Sequence, residues 1–130
     1  MDLTDWTATQ RALQSVQPID FVVNNAGICI LEAVGDVTEE AVDKQLSLNL
    51  KAIINVSQTV AKQWVKDQRK GAIVNISSQS SIRPLRDHLV YCASKAAVDQ
   101  MTRVLALELS PLVRVNSVNP TVVWTELGIN

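Results

Sequence analysis

The 130 residues are 47% hydrophobic and 19% charged, with twelve basic against thirteen acidic side chains, an ordinary balance for one soluble domain. A net charge of −1 leaves no basic surface for a nucleic-acid backbone, and no apolar run approaches the roughly 18–20 residues of a membrane span. Two cysteines, Cys29 and Cys92, are too few and too far apart for a disulfide framework, and no ligand set stands at metal-binding spacing, so both read as small buried hydrophobes in a reducing compartment.

In chain order, a helix is expected over about residues 5–16, ahead of Pro18. The β-branched run 19–23 follows as a strand. Thr38 then reads as a helix N-cap, with Glu39 and Glu40 in the first turn, where negative charge meets the helix dipole. Ile53, Val56, Val60 and Trp64 recur at steps of three and four, which predicts one long helix over 38–69 that ends in cations and a glycine stop at Gly71. A second strand is expected over 72–76. Val98, Met101 and Leu105 then line one face of a helix over 90–109, closed by Ser110-Pro111, and a third strand covers 113–118.

Strands separated by helices long enough to cross over imply an α/β fold with a parallel sheet and right-handed connections, in a single domain spanning 1–130. The two complete crossovers place their helices on one face, which leaves the first helix for the other. Ligands of such sheets bind outside the carboxyl ends of the strands, here the small polar loops 24–27, 77–81 and 119–125.

Two side chains near the start of the last helix carry chemistry. Tyr91 and Lys95, four apart, share a helix face. A lysine cation near a phenol favours the phenolate and lowers a pKa of about 10, giving an acid/base able to work nearer neutral pH. Alone, the pair reads more readily as two surface neighbours. Ser78 adds a hydroxyl that can enter the same cleft and hydrogen-bond a carbonyl oxygen.

Asn24-Asn25-Ala26-Gly27, Ile76-Ser77-Ser78 and Tyr91-Cys92-Ala93-Ser94-Lys95, with Asn49 within Leu48-Asn49-Leu50-Lys51-Ala52, resemble the short-chain dehydrogenase/reductase family in residues and in spacing. The ending Asn119-Pro120-Thr121-Val122-Val123, with Thr121 where most of the family has glycine, is similar to its NADPH-using dicarbonyl and carbonyl reductases. The resemblance implies a partial Rossmann-like, doubly wound parallel sheet: three strands retained, the family's first two strands and last strand missing. It also implies cytoplasmic, NADPH-dependent reduction of a ketose or α-dicarbonyl by Asn49, Ser78, Tyr91 and Lys95, with the choice of NADPH over NAD left open. Tyr91 would protonate the carbonyl oxygen and Ser78 polarise it. Lys95 would depress the tyrosine pKa and bind the nicotinamide ribose, and Asn49 would anchor a water. Cofactor contacts would come from Asp2, Asn24, Ala26, Gly27, Tyr91, Lys95, Val123 and Thr125, with Asp2 on the adenine side.

Ser78, Gln79 and His88 match substrate positions, although His88 reads as a pocket or surface histidine rather than an acid/base. The family's glycine-rich phosphate-binding turn is not represented, because the glycines are Gly27, Gly35, Gly71 and Gly128. Strand 19–23 is then an unprotected sheet edge, with apolar area left open beside it. Expected partners are a small carbonyl substrate and either further copies of the chain, as a homotetramer, or a full-length homologue. A rival reading is a catalytically silent fragment that acts by binding such a relative through its two long helices.

Overall fold

The three β-branched runs form β1 (Phe21–Asn24), β2 (Gly71–Ile76) and β3 (Val113–Val118) in a computed structural model that describes residues 1–123. They pair in parallel in the order β1-β2-β3, with Phe21 opposite Ala72 and Gly71 opposite Val113. The sheet is the partial Rossmann-like arrangement expected from the sequence, with β1 at one edge. Among the described residues four α-helices accompany it: α1 (Trp6–Ser15), α2 (Glu39–Leu46), α3 (Ala52–Lys66) and α4 (Leu89–Leu109). Asp5 caps α1 by accepting from the Ala8 N–H at 2.9 Å, and Thr38 caps α2 by accepting from the Ala41 N–H at 3.2 Å. Among the described residues, no helix is long and apolar enough to cross a membrane.

Three local expectations are corrected. The single helix over 38–69 is two helices joined by a π-helical turn, Ser47–Lys51. The wider turn shifts the helix phase. Gln45 and Asn49 therefore face the loop after β1, while Ile53, Val56, Val60 and Trp64 are buried toward the sheet. Apolar spacing alone does not register such a turn. Gly71 is not the helix stop either: Asp67 caps α3, Gln68 takes the left-handed conformation at φ 52°, and Gly71 opens β2.

The third correction concerns α1, which packs on α3 and not on the opposite sheet face. Asn55 of α3 donates its side-chain N–H to Trp6 O at 2.9 Å, and Leu13 joins the core formed by Val22, Val60, Trp64, Ile73 and Val115. Leu105 and Leu109 of α4 pack against the same core. All three helices thus cover one face, and the other shows Phe21 at 73%, Val23 at 63% and Val118 at 50% exposure. Handedness rules apply to a helix between two strands. Among the described residues a strand follows α1 and none precedes it, so its place is read from its contact with α3.

Trp64 is wholly buried, and its indole N–H donates to Ile19 O at 2.6 Å. Its ring lies flush against Gly71, where an added Cβ would come 2.5–2.6 Å from three ring carbons. Neither a pinned indole nor a strand backbone can yield to that overlap. Gly71→Ala should therefore destabilise the fold by about 2 kcal/mol, in the range of core overpacking, read as a lowered urea midpoint at unchanged slope. A midpoint equal to wild type would show that the Trp64–Gly71 contact is loose.

Candidate active site

The strand ends, the loops that follow them and the first turns of α4 enclose a cavity of about 570 Å³ lined by Gly27, Cys29, Ser78, Tyr91, Lys95 and Val123, among others. Ser78 ends the extended chain after β2 and caps a short 3-10 turn, Gln79–Ser81, by accepting from the Ser80 N–H at 3.1 Å. Tyr91 projects from the first turn of α4, half-buried, with the Ser78 side chain close enough to its hydroxyl to lower its pKa. Lys95, one turn on, is buried and donates its Nζ to Ile76 O at 2.9 Å, with Nζ 5.6 Å from the Tyr91 ring centroid. Three residues separated in sequence thus meet in one cleft.

Electrostatics in this cleft depart from the sequence expectation. Lys95 was expected to depress the tyrosine pKa, but burial of the phenol raises it, against a smaller lowering by the Ser78 side chain, and the Cys29 and Cys92 thiols add to the rise. Burial lowers the Lys95 pKa, against the opposing pull of Cys29 and Asp99. Each group is driven toward its neutral form because a half-buried site solvates charge poorly. The cysteines also differ from expectation: both are partly exposed, Cys29 lines the cleft, and burial raises its pKa.

Asn49 does not line the cavity. It is fully buried behind it, in the π-helical turn, where Oδ1 accepts from the Ile28 N–H at 2.8 Å while Nδ2 donates to Ile28 O at 2.8 Å and Ser94 Oγ at 3.1 Å. Ser94 Oγ in turn donates to Tyr91 O at 2.8 Å. One turn earlier, Gln45 repeats the clamp on Ile30, accepting from its N–H at 3.1 Å and donating to its C=O at 3.4 Å. Two side-chain amides therefore grip the loop after β1 much as a neighbouring strand would. Sequence reasoning missed Gln45, although its i, i+4 spacing to Asn49 was the available signal.

The remaining predicted residues are dispersed. Ala26, Gln79, His88 and Val123 line the cleft with Gly27. His88 donates Nδ1–H to Arg86 O at 2.6 Å and stands edge-on to Tyr91, ring centroids 6.1 Å apart. Asn24 is buried at the sheet end, donating to Ser57 Oγ at 3.1 Å and Asn75 Oδ1 at 2.8 Å. Asp2 is exposed at the head of α1, where hydrogen bonds from Thr4 hold its carboxyl below the usual range. A second cavity of about 200 Å³, with Leu3, Leu13 and Ile53 in its wall, shares Asn25 and Ala26 with the first. Thr125 lies outside the described residues.

Comparison with known proteins gives a consistent result. The sequence matches the family described as short chain dehydrogenase over residues 1–130. It is 52% identical over 129 residues to an L-xylulose reductase of Homo sapiens, covering 98% of this chain and 53% of that one. It is 48% identical over the same length to a D-erythrulose reductase of Gallus gallus, covering 98% and 52%. A gluconate 5-dehydrogenase from Burkholderia cenocepacia, solved with NADP and tartrate, superposes with a TM-score of 0.93 at 26% identity, covering 98% of this chain and 51% of that one. The chain spans about half the length of the curated relatives it matches.

Tyr91 is the chain's only tyrosine, so phenolate absorbance reports it alone. Its midpoint should lie above about 10, the value for an unperturbed phenol, and should rise further in Ser78→Ala. A folded-state pKa raised above the unfolded one means that the stabilising neutral phenol is fully present below the unfolded value and is lost as pH climbs through the folded one. Alkaline unfolding should accompany the titration. A midpoint at or below 10 would show that Lys95 governs the phenol after all.

Proposed function

This chain belongs to the short-chain dehydrogenase family, and on that premise we propose that it carries the catalytic and nicotinamide-binding part of an NADPH-dependent reductase of the L-xylulose reductase kind, acting on a ketose or α-dicarbonyl. The observation that carries the reading is the convergence of Ser78, Tyr91 and Lys95 on one cavity walled by Gly27 and Val123. Burial keeps Tyr91 protonated near neutral pH, so it has a proton to give to a carbonyl oxygen that gains charge. Ser78, which faces Tyr91 across the same cleft, donates to the same oxygen and favours its charged form.

The residues present fit a nicotinamide nucleotide. An ammonium has three hydrogens, and Ile76 O takes one from Lys95, which leaves the others for ribose hydroxyls. A Cβ on Gly27 would lie 3.6 Å from Lys95 Nζ and 3.3 Å from Asn49 Oδ1, so the bare glycine keeps that approach open. The cofactor would supply the hydride. The apolar cavity beside Leu3 continues past Asn25 and Ala26, suiting the adenine side, and Asp2 immediately precedes Leu3 in the chain. Asn49 acts as a positioning residue, since both hydrogens of its amide are committed to Ile28 and Ser94. Gln79 and His88 face the same space from its outer wall, as substrate contacts would. NADPH is preferred to NAD because of the dicarbonyl-reductase-like ending at Thr121, the solved neighbours including both NADP- and NAD-bound enzymes.

Calorimetric titration of the purified chain with NADPH should give saturable binding. Lys95→Ala should weaken it at least about tenfold, the scale of one charge-assisted hydrogen bond. Tyr91→Phe should leave affinity within about twofold and reduce carbonyl turnover about a hundredfold or more. A folded chain indifferent to millimolar NADPH would sink this reading.

A second reading, a silent fragment bound to a full-length relative, is favoured by the outward apolar side chains of the long helices: Ile54 and Val65 on α3, and Val104 and Leu107, the last 81% exposed, on α4. Light scattering of the chain alone and mixed with full-length L-xylulose reductase separates the two. A mixed oligomer formed without NADPH binding to this chain would select the second.

A further inference from the structure

Asp99 lies on α4 one turn beyond Lys95, so that Tyr91, Lys95 and Asp99 follow each other along one face. Its carboxylate meets Asn119, the first residue after β3, whose Nδ2 is 3.0 Å from both carboxylate oxygens. The same Nδ2 is 3.2 Å from Ser81 Oγ and 3.2 Å from Ser78 O. The Ser77 and Ser81 hydroxyls also stand close enough to the carboxylate to lower its pKa. The loops after β2 and β3 run side by side here, with the Ser77 N–H donating to Val118 O at 2.8 Å and the Gln79 N–H to Pro120 O at 2.9 Å. These loops carry Ser78 and the Pro120–Val123 wall of the cleft.

We propose that Asp99 is a positioning residue: its carboxylate pins the loops after β2 and β3 to α4 and thereby fixes Ser78 against Tyr91 and Lys95. What the pinned groups accomplish rests on the functional reading above; the pinning itself rests on this geometry alone. Burial raises the Asp99 pKa, but the neighbouring Ser77 and Ser81 hydroxyls, the Asn119 amide and the charge of Arg103 together outweigh it, so the group is an anion at neutral pH. Lys95 faces Tyr91 and Asp99 along its own helix and Cys29 from the loop after β1. Cys29 and then Asp99 oppose the effect of burial on Lys95, and of these two Asp99, a carboxylate, carries its charge at neutral pH.

Two variants separate pinning from charge. In Asp99→Asn, amide hydrogen exchange at Gln79 and Ser80 should quicken about tenfold or more while amides within β2 keep their protection, and the Lys95 ammonium, followed by NMR, should titrate lower than in wild type. Asn119→Ala should reproduce the faster exchange without moving the Lys95 titration, and it decides the matter if Asp99→Asn loses β2 protection as well. Exchange at Gln79 and Ser80 unchanged in both variants would overturn the proposal. If wild type binds no NADPH and exchange still responds as expected, the functional reading falls and the role of Asp99 stands.

Discussion

The site depends on one buried ammonium. Lys95 cannot keep a charge out of water without a partner, and the partner it takes is Ile76 O, the last carbonyl of β2. The Ser77 hydroxyl answers by donating to Lys95 O at 3.2 Å, so α4 is tied to the end of the central strand from both sides of one residue. With that junction fixed, Tyr91 falls one turn before Lys95 and Ser78 two residues after Ile76, and their meeting follows from helix and strand geometry.

Behind the junction, a line of polar side chains crosses the helix-covered sheet face. Asn24 donates to Asn75, Asn75 Nδ2 donates to Thr102 Oγ1 at 2.9 Å, and Thr102 Oγ1 donates to Val98 O at 2.7 Å. These groups are buried together, and each satisfies the next. Below them the layer is apolar, built on Trp64, Ile73 and Val113. Polar matching at the carboxyl ends and apolar packing at the opposite ends fix the strand register and the depth of α4, and the cleft inherits its shape from both.

The exposed sheet face has a different standing. Phe21 and Val23 alternate with the buried Val22 and Asn24, so β1 is hydrophobic on both faces, the pattern of a strand in a sheet covered on both sides. The described helices provide one cover only. The exposure therefore agrees with a chain that matches about half the length of its relatives.

Much was legible in the sequence because it depends on local chemistry. The strands at 72–76 and 113–118 follow from β-branched runs, the start of α2 from Thr38 with its acidic first turn, and the shared face of Tyr91 and Lys95 from helical spacing. Even the cleft's location follows from three small polar loops at the strand ends. Long-range packing decided the rest. The π-helical turn carries Asn49, which with Gln45 bonds a loop fifteen to twenty-one residues away, and α1 lies beside α3, where Asn55 and Leu13 find partners. The direction of the Tyr91 pKa shift could not be read from a lysine four residues on, since it is set by how much water the folded site excludes. Spacing along the chain fixes which side chains can be neighbours; burial and the partners brought by other elements fix what those neighbours do to one another.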